Sequence, residues 1–279
     1  MPITNRRAAR GALLTAISLS ALSIAAMAEA QTMSPAECVV GVGANSTACG
    51  VSASAAGDNA TAVGDSASAD TANSTAIGQD AVAGDTVDGN ASATAVGQGA
   101  QATGQRATAV GQGALATNRN ATATGQGARA TGDTASAFGF GSVASAANSS
   151  AFGQASARGS QSSAFGSNAL ASGINSSAFG SGTFAPGADA TALGFNASAQ
   201  HSGATAIGTG AMTTRENQVR LGGAGSSASV GDIAASTAAQ TGPVRITTVD
   251  SSGTLGRSSF ALGTSSGMDA LAIGDIASA

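Results

Sequence analysis

The sequence predicts an all-β protein built as a parallel β-solenoid, in which coils of 14 residues stack on one another. Three observations predict this fold. A tetrapeptide ending in glycine recurs along residues 45–222, and small residues follow each of these glycines at fixed distances. The composition is also too poor in bulky side chains for a conventional core, because Leu, Ile, Val and Phe make up about 15% of the chain.

Residues 1–30 are typical of a signal peptide. Three basic residues (Arg6, Arg7 and Arg10) precede an apolar stretch at 11–26, and small residues follow it up to Ala30. The apolar stretch has 16 residues, fewer than the ~20 that a membrane-spanning helix needs. We expect cleavage after Ala30 and export of the mature protein, with residues 31–44 forming an entry segment before the repeats.

A short strand that ends in glycine is the first half of each repeat. The first copy is Thr47–Gly50, and a degenerate last copy is Val219–Gly222. Of the twelve intervals between the glycines ten are 14 residues, whereas Gly78 to Gly97 is 19 and Gly153 to Gly166 is 13. So regular a spacing indicates that each copy forms one coil of a solenoid.

A second strand follows within each repeat. Small residues recur three and five residues after the glycine, as at Ala67 and Ala69, and the residue between them varies. Alternation with a period of two indicates a strand with one constrained face and one free face. The candidate surface contacts are free-face residues of this strand: Gln101, Leu115, Arg129, Leu170 and Phe184. Thirteen coils spaced about 4.8 Å apart would form a rod roughly 58 Å long.

The two faces of the first strand carry different side chains. One face holds bulky apolar residues from Val63 to Ile207, which we expect to lie inside the coil. The opposite face holds alanine in every regular copy, from Ala48 to Ala206. Small side chains let backbones approach closely, so we expect an oligomer of identical chains to assemble through this alanine face.

Composition argues against several classes of function. The formal net charge is −4, and the eleven Arg are scattered without the basic stripe typical of nucleic-acid binding. A single histidine, His201, and two cysteines offer no metal-ligand spacing. Acidic residues are sparse and lie near turns, so the sequence predicts neither an enzyme nor a cofactor site.

Cys38 and Cys49 are the two cysteines, and both lie in the exported part of the chain. Disulfides form in exported proteins, so a bridge between these residues could close the entrance to the fold. Alternatively, Cys49 fills a small apolar position in the first strand without pairing.

The repeat resembles the YadA-like head repeat of trimeric autotransporter adhesins. The resemblance rests on Asn59-Ala60-Thr61-Ala62-Val63-Gly64 and on Asn175-Ser176-Ser177-Ala178-Phe179-Gly180, and it covers about residues 45–222. It implies a left-handed parallel β-roll, a homotrimer around one axis, and display at the outer membrane of a Gram-negative cell. It also implies attachment to matrix protein, cells or abiotic surfaces, with no cofactor and no nucleic-acid partner.

Residues 223–279 are interpreted as a degenerate head or neck-like segment. Phe260–Gly263 and Leu271–Gly274 resemble further head units. Residues 232–279 lack sustained heptads and the alternating strands typical of an outer-membrane anchor. We therefore expect membrane contact only through a stalk and anchor outside this chain, or secretion if no anchor follows.

An ice- or surface-binding secreted β-solenoid is the alternative function. Thr47, Thr61, Thr75, Thr94 and Thr108 would form a column of hydroxyls one coil apart. Against this function, the threonines share a face with the bulky apolar residues and are therefore expected to point inward. Serine also replaces threonine in the coils that carry Phe.

Overall fold

The computed structural model describes residues 38–84, 92–227, 245–249 and 255–261, and all regular structure in these ranges is β. The predicted all-β solenoid is confirmed for residues 38–84 and 92–227, although the handedness and the trimer stay expectations. In the same ranges no helix has the length and apolarity needed to cross a membrane. The expected signal peptide and its cleavage site at Ala30 lie outside the described residues.

The coils build two sheets, sheet A and sheet B. Sheet A consists of β1 (Cys38–Val40), β2 (Thr47–Cys49), β4 (Thr61–Val63), β6 (Thr75–Ile77), β8 (Thr94–Val96), β10 (Thr108–Val110), β12 (Thr122–Thr124), β14 (Ser136–Phe138), β16 (Ser150–Phe152), β18 (Ser163–Phe165), β20 (Ser177–Phe179), β22 (Thr191–Leu193), β23 (Thr205–Ile207) and β24 (Val219–Leu221). Sheet B consists of β3 (Ser54–Ala55), β5 (Ser68–Ala69), β7 (Val82–Ala83), β9 (Gln101–Ala102), β11 (Leu115–Ala116), β13 (Arg129–Ala130), β15 (Val143–Ala144), β17 (Ser156–Ala157), β19 (Leu170–Ala171) and β21 (Phe184–Ala185). Each coil from β2 to β21 contributes one strand to each sheet, and the coils that begin with β22 and β23 contribute a strand to sheet A and only isolated bridges beside sheet B.

The strands stack in strict register from coil to coil. Equivalent residues pair even across the irregular intervals, because Thr75 pairs with Thr94 and Phe152 pairs with Phe165. The irregular intervals therefore leave the pairing of the described strands in register, and the columns of side chains continue across them.

Alanine forms the interior of the coil, so the expectation that the alanine face meets another chain was wrong. Ala62 and Ala76 of sheet A and Ala67 and Ala69 at the second strand are fully buried within one chain. The physical reason is the size of the coil, since two short strands and two tight turns enclose too little space for larger side chains. The bulky apolar residues of sheet A, expected inside, therefore point outward, and Ile77 is 41% exposed.

Close approach between coils explains the glycine at the end of each strand of sheet A. Gly111 has φ of 129°, and a Cβ at this position would lie 2.6 Å from the carbonyl carbon of Gly125 in the next coil. Asparagine adopts the left-handed conformation at several other turn positions, as at Asn120 and Asn175, with φ of 54° and 55°. The turns thus favour the Gly and Asn that the repeat supplies, although Arg106, Thr134 and Gln161 adopt the same conformation at the position of Asn120 in other coils.

The described parts of the two ends differ from the coils. At the N-terminus, β1 pairs antiparallel with β2, and a disulfide joins Cys38 to Cys49. The second unit, residues 228–279, contains the antiparallel strands β25 (Arg245–Val249) and β26 (Leu255–Ala261). Phe260 and Ala261 thus lie in an antiparallel hairpin instead of the parallel head unit expected there, and Leu271–Gly274 lies outside the described residues.

Candidate assembly and attachment surfaces

The outer surface of sheet A carries an apolar column that runs along the rod. We call this set the apolar column: Val63, Ile77, Val96, Val110, Phe138, Phe152, Phe165, Phe179, Leu193 and Ile207. Its members are half-buried or exposed in the single chain, with Leu193 47% exposed. Thr124 takes the same position between Val110 and Phe138, so the column consists of two apolar stretches. Exposed apolar stretches of this kind are typical of an interface with another molecule.

Four phenylalanines form a stack at the centre of the apolar column. The ring centroids of Phe138 and Phe152, Phe152 and Phe165, and Phe165 and Phe179 are 5.0, 4.5 and 4.9 Å apart, with interplanar angles of 10°, 5° and 18°. Strands of a sheet lie about 4.8 Å apart, so the sheet itself imposes a spacing at which aromatic rings contact face to face. Each ring thus contacts its neighbours within the chain, although the column as a whole faces outward.

The threonine column also points outward, which corrects the expectation that it lies inside. Thr47 is exposed and Thr61 is half-buried, whereas the alanine between each threonine and the apolar column is buried. Residues two apart in a strand lie on the same face of the sheet. Each threonine therefore points to the same outer face as the apolar residue two positions after it. The surface of sheet A therefore combines hydroxyl and apolar columns.

All five candidate contact residues lie in one column on the outer surface of sheet B. Gln101, Leu115 and Arg129 pair in consecutive strands, and Leu170 pairs with Phe184. Gln101, Arg129 and Phe184 are exposed, while Leu115 and Leu170 are half-buried. The fold thus gathers these residues on the side of the coil opposite the apolar column, where contact with a target surface stays a proposal.

The turn after each strand of sheet A adds surface residues that the sequence reasoning did not single out. Gln79, Gln98, Gln112 and Gln126 form a ladder of side-chain amide hydrogen bonds of 3.2, 2.9 and 2.7 Å between successive coils. Phe140 and Phe195 take the same turn position in other coils and are 62% and 57% exposed. The sequence signal for these residues is their position directly after the repeat glycine, where Gln recurs in four successive coils.

Charge and apolar exposure are distributed unevenly along the rod. Residues 58–133 include ten charged residues, whereas residues 134–212 include two, Arg158 and Asp189. The second of these ranges also exposes large apolar side chains outside sheet A: Phe140, Ile174, Phe184, Phe195 and Met212. In the described part of 58–133 the exposed large apolar residues are Val63 and Ile77, both on sheet A. The two halves therefore offer chemically different outer surfaces.

One ion pair crosses between coils in the charged half. Arg119 donates hydrogen bonds from Nε and Nη2 to the two carboxylate oxygens of Asp133, at 3.2 and 2.7 Å. The hydrogen bond from Arg119 lowers the pKa of Asp133 below its ordinary value. Both groups are exposed, so solvent screens the pair and its contribution to stability is small.

A family model described as the YadA head domain repeat matches the chain. It matches eight overlapping or adjacent stretches that together span more than half of the chain: residues 42–67, 55–81, 90–114, 102–128, 116–141, 130–156, 157–183 and 185–211. No curated protein matches the chain. Within the described ranges, no cluster of three or more His, Cys, Asp or Glu side chains could hold a metal ion.

Proposed function

Because the chain belongs to the family of YadA head domain repeats, we propose that it is the head of a trimeric autotransporter adhesin. The head attaches to matrix protein, cells or abiotic surfaces through many weak contacts. The family and the solenoid fold point to a non-enzymatic role. The chain is exported after cleavage at Ala30 and acts at the cell surface, and N-terminal sequencing of the exported protein should begin at Gln31.

Assembly through sheet A supports the trimer. The alanine core is closed within one chain, which leaves the apolar column of sheet A for contact with other chains. Three chains that turn sheet A toward a common axis would cover this column, and burial of apolar surface contributes about 25 cal/mol per Å². Sedimentation equilibrium on the mature protein should give three chain masses, and a stable β-rich monomer at micromolar concentration would contradict the trimer.

The proposal of multivalent attachment is supported by the repetition of the outer surface from coil to coil. With sheet A turned to the axis, sheet B and the turns face outward, and the strands of sheet B stack in register from β3 to β21. Every coil then presents its outer residues with the same backbone geometry and at a fixed distance from the next coil, although the side chains differ between the two halves. Weak contacts repeated in this way sum to strong attachment when several engage at once.

An in-register deletion tests distributed attachment. Removing residues Gly97–Val110, one whole coil of 14 residues, should leave the fold intact and weaken the attachment of protein-coated beads gradually. A matched deletion of Gly97–Thr108, two residues shorter, should disturb the register and abolish the cooperative melting transition. Complete loss of attachment after a single exposed substitution, with no effect of the in-register deletion, would indicate one discrete binding site instead.

Ice or crystal-surface binding is the second candidate, because the threonine hydroxyls point outward rather than inward. Thr47, Thr61 and Thr75 pair in register and form a regular column. In the proposed trimer this column lies against other chains, so the mature protein should show no thermal hysteresis in freezing assays. A monomer that shows thermal hysteresis, and loses it on Thr75→Val, would favour the second candidate over the adhesin head.

A further inference from the structure

The N-terminal edge of sheet A is covered by a strand that runs opposite to all the others in the sheet. Pairing is parallel from β2 to β24, whereas β1 pairs antiparallel with β2. The chain already stacks on the first coil from Gly43, whose N–H donates to the carbonyl oxygen of Ala55 at 3.2 Å. β1 is therefore a separate strand folded back over β2 and does not form part of a coil.

Without β1 the outer edge of β2 would present unpaired backbone groups. Such an edge can pair with a strand of another chain, especially where strands are flat and share one sequence pattern. β2 carries the same arrangement of Thr, Ala and an apolar residue as β4 and β6, which already pair with each other in register. The occupant that fits this edge is accordingly sheet A of a second copy of the chain.

Side-chain burial does little to hold β1 in place. All three of its residues are exposed, and Val40 is 83% exposed. The connection through Gly41–Ser46 fixes one end of the strand, where the N–H of Gly41 donates to the carbonyl oxygen of Ser46 at 3.1 Å. The disulfide fixes the other end, because Cys38 lies directly opposite Cys49.

We propose that the Cys38–Cys49 disulfide is a latch that holds β1 over the edge of β2 and so prevents two heads from joining end to end. A thiol reductant opens the latch: the Sγ–Sγ bond takes up two electrons and two protons, giving two thiols, while the reductant is oxidised to its own disulfide. β1 is then released, and the edge of β2 pairs with a second copy of the chain. Cys49 lies in β2 and pairs with Val63, the first residue of the apolar column. The disulfide is therefore located at the end of sheet A where a second copy would join.

The test compares the oxidised mature protein with the variant Cys38→Ser/Cys49→Ser, which removes the latch without leaving a free thiol. Sedimentation velocity should show one species for the oxidised protein and, for the variant, a concentration-dependent equilibrium with a species of twice that mass, because two freed β2 edges pair with each other. Electron micrographs of the variant should show rods joined end to end. Wild-type protein in a thiol reductant should behave like the variant, and reoxidation after dilution should restore the single species.

A matched control distinguishes the effect of the disulfide from the effect of the apolar side chains of β1, which could also shield the edge of β2. Val39→Ser/Val40→Ser keeps the disulfide and removes the two apolar side chains of β1, so it should sediment as a single species. Circular dichroism shows whether the cysteine-free variant keeps its β-structure. The proposal is overturned if that variant stays a single species, or if it loses β-structure and forms amorphous aggregates, since the disulfide would then serve folding and not the edge.

Discussion

The ring of Phe152 stacks on the ring of Phe165 with a centroid distance of 4.5 Å, although these residues are only 13 positions apart in the sequence. The other stacked pairs, Phe138–Phe152 and Phe165–Phe179, are 14 positions apart. The missing residue falls in the turn Gly153-Gln154-Ala155, where other coils have Gly-Gln-Gly-Ala. Strand pairing of Ser150–Phe152 with Ser163–Phe165 is undisturbed. A turn can thus lose a residue without moving the column, because the strands and not the turns set the register.

Insertion of one glycine between Gln154 and Ala155 should therefore be tolerated. It recreates the turn at Gly111-Gln112-Gly113-Ala114, so we expect a change in the free energy of unfolding below about 1 kcal/mol. The control is a glycine inserted between Ser150 and Ala151, which moves following side chains to the other face of the strand. Thermal melts followed by circular dichroism should show near-native stability for the first insertion and loss of the cooperative transition for the second.

Buried serines at one position of the coil should respond in opposite ways to alanine. Ser149 Oγ donates to the carbonyl oxygen of Ala146 at 2.7 Å, whereas the buried Oγ atoms of Ser162 and Ser176 have no hydrogen-bond partner. Alanine takes this position in other coils, as at Ala107. Ser162→Ala should stabilise each chain by about 1 kcal/mol, and Ser149→Ala should destabilise it by about 1 kcal/mol. Denaturant titrations measure both, and equal effects would contradict the hydrogen-bond assignment.

Two glycines of one turn should differ sharply in their tolerance of a side chain. Gly111→Ala places a Cβ against the backbone of Gly125, so we expect a loss of more than about 2 kcal/mol per chain. A Cβ at Gly113, with φ of 62°, meets nothing within 4 Å. Gly113→Ala should therefore cost only the conformational penalty of about 1 kcal/mol. Urea unfolding midpoints distinguish the two, and a larger loss for Gly113→Ala would contradict the stacking geometry.

Phenylalanines on the two outer surfaces should have different effects on assembly. Phe165 lies at the centre of the apolar column, so Phe165→Asp should place a charge in the proposed trimer interface and shift the sedimenting mass toward the monomer. Phe165→Ala should cost about 3–5 kcal/mol per chain if the trimer buries the ring fully. Phe184→Asp, on the outer surface of sheet B, should leave the trimer intact. Dissociation by both Asp variants would show that sheet A is not the assembly surface.

The weakly charged half of the rod should contribute most to attachment to apolar surfaces. Phe184→Ser/Phe195→Ser removes two exposed aromatic side chains from residues 134–212, and we expect clearly fewer protein-coated beads to bind a hydrophobic surface. The control Gln101→Ser/Gln112→Ser also changes two residues, but in the charged half, and it should have little effect on the number of beads that bind. Sedimentation must show both variants to be assembled like the wild type. If the glutamine variant lost more bead binding than the phenylalanine variant, the attachment surface would lie in residues 58–133 instead.

The sequence by itself determined the period, the two strands per coil and the register, because glycine at every fourteenth residue and alternation within each strand have a direct structural meaning. It also separated the free face of the second strand from its buried face. Gln101 and Phe184 lie outside because Ala102 and Ala185 beside them fill the core.

Only the tertiary structure decided which face of the first strand lies inside. Alternation shows that Ala62 and Val63 point to opposite sides, but it does not show which side is the interior. The volume enclosed by the two sheets decided this, since a coil so narrow accepts alanine and excludes valine and phenylalanine. The antiparallel pairing of β1 with β2 was also decided only by the tertiary structure. The direction of β1 depends on how the chain turns back over the edge of β2, and no repeat in the sequence encodes it.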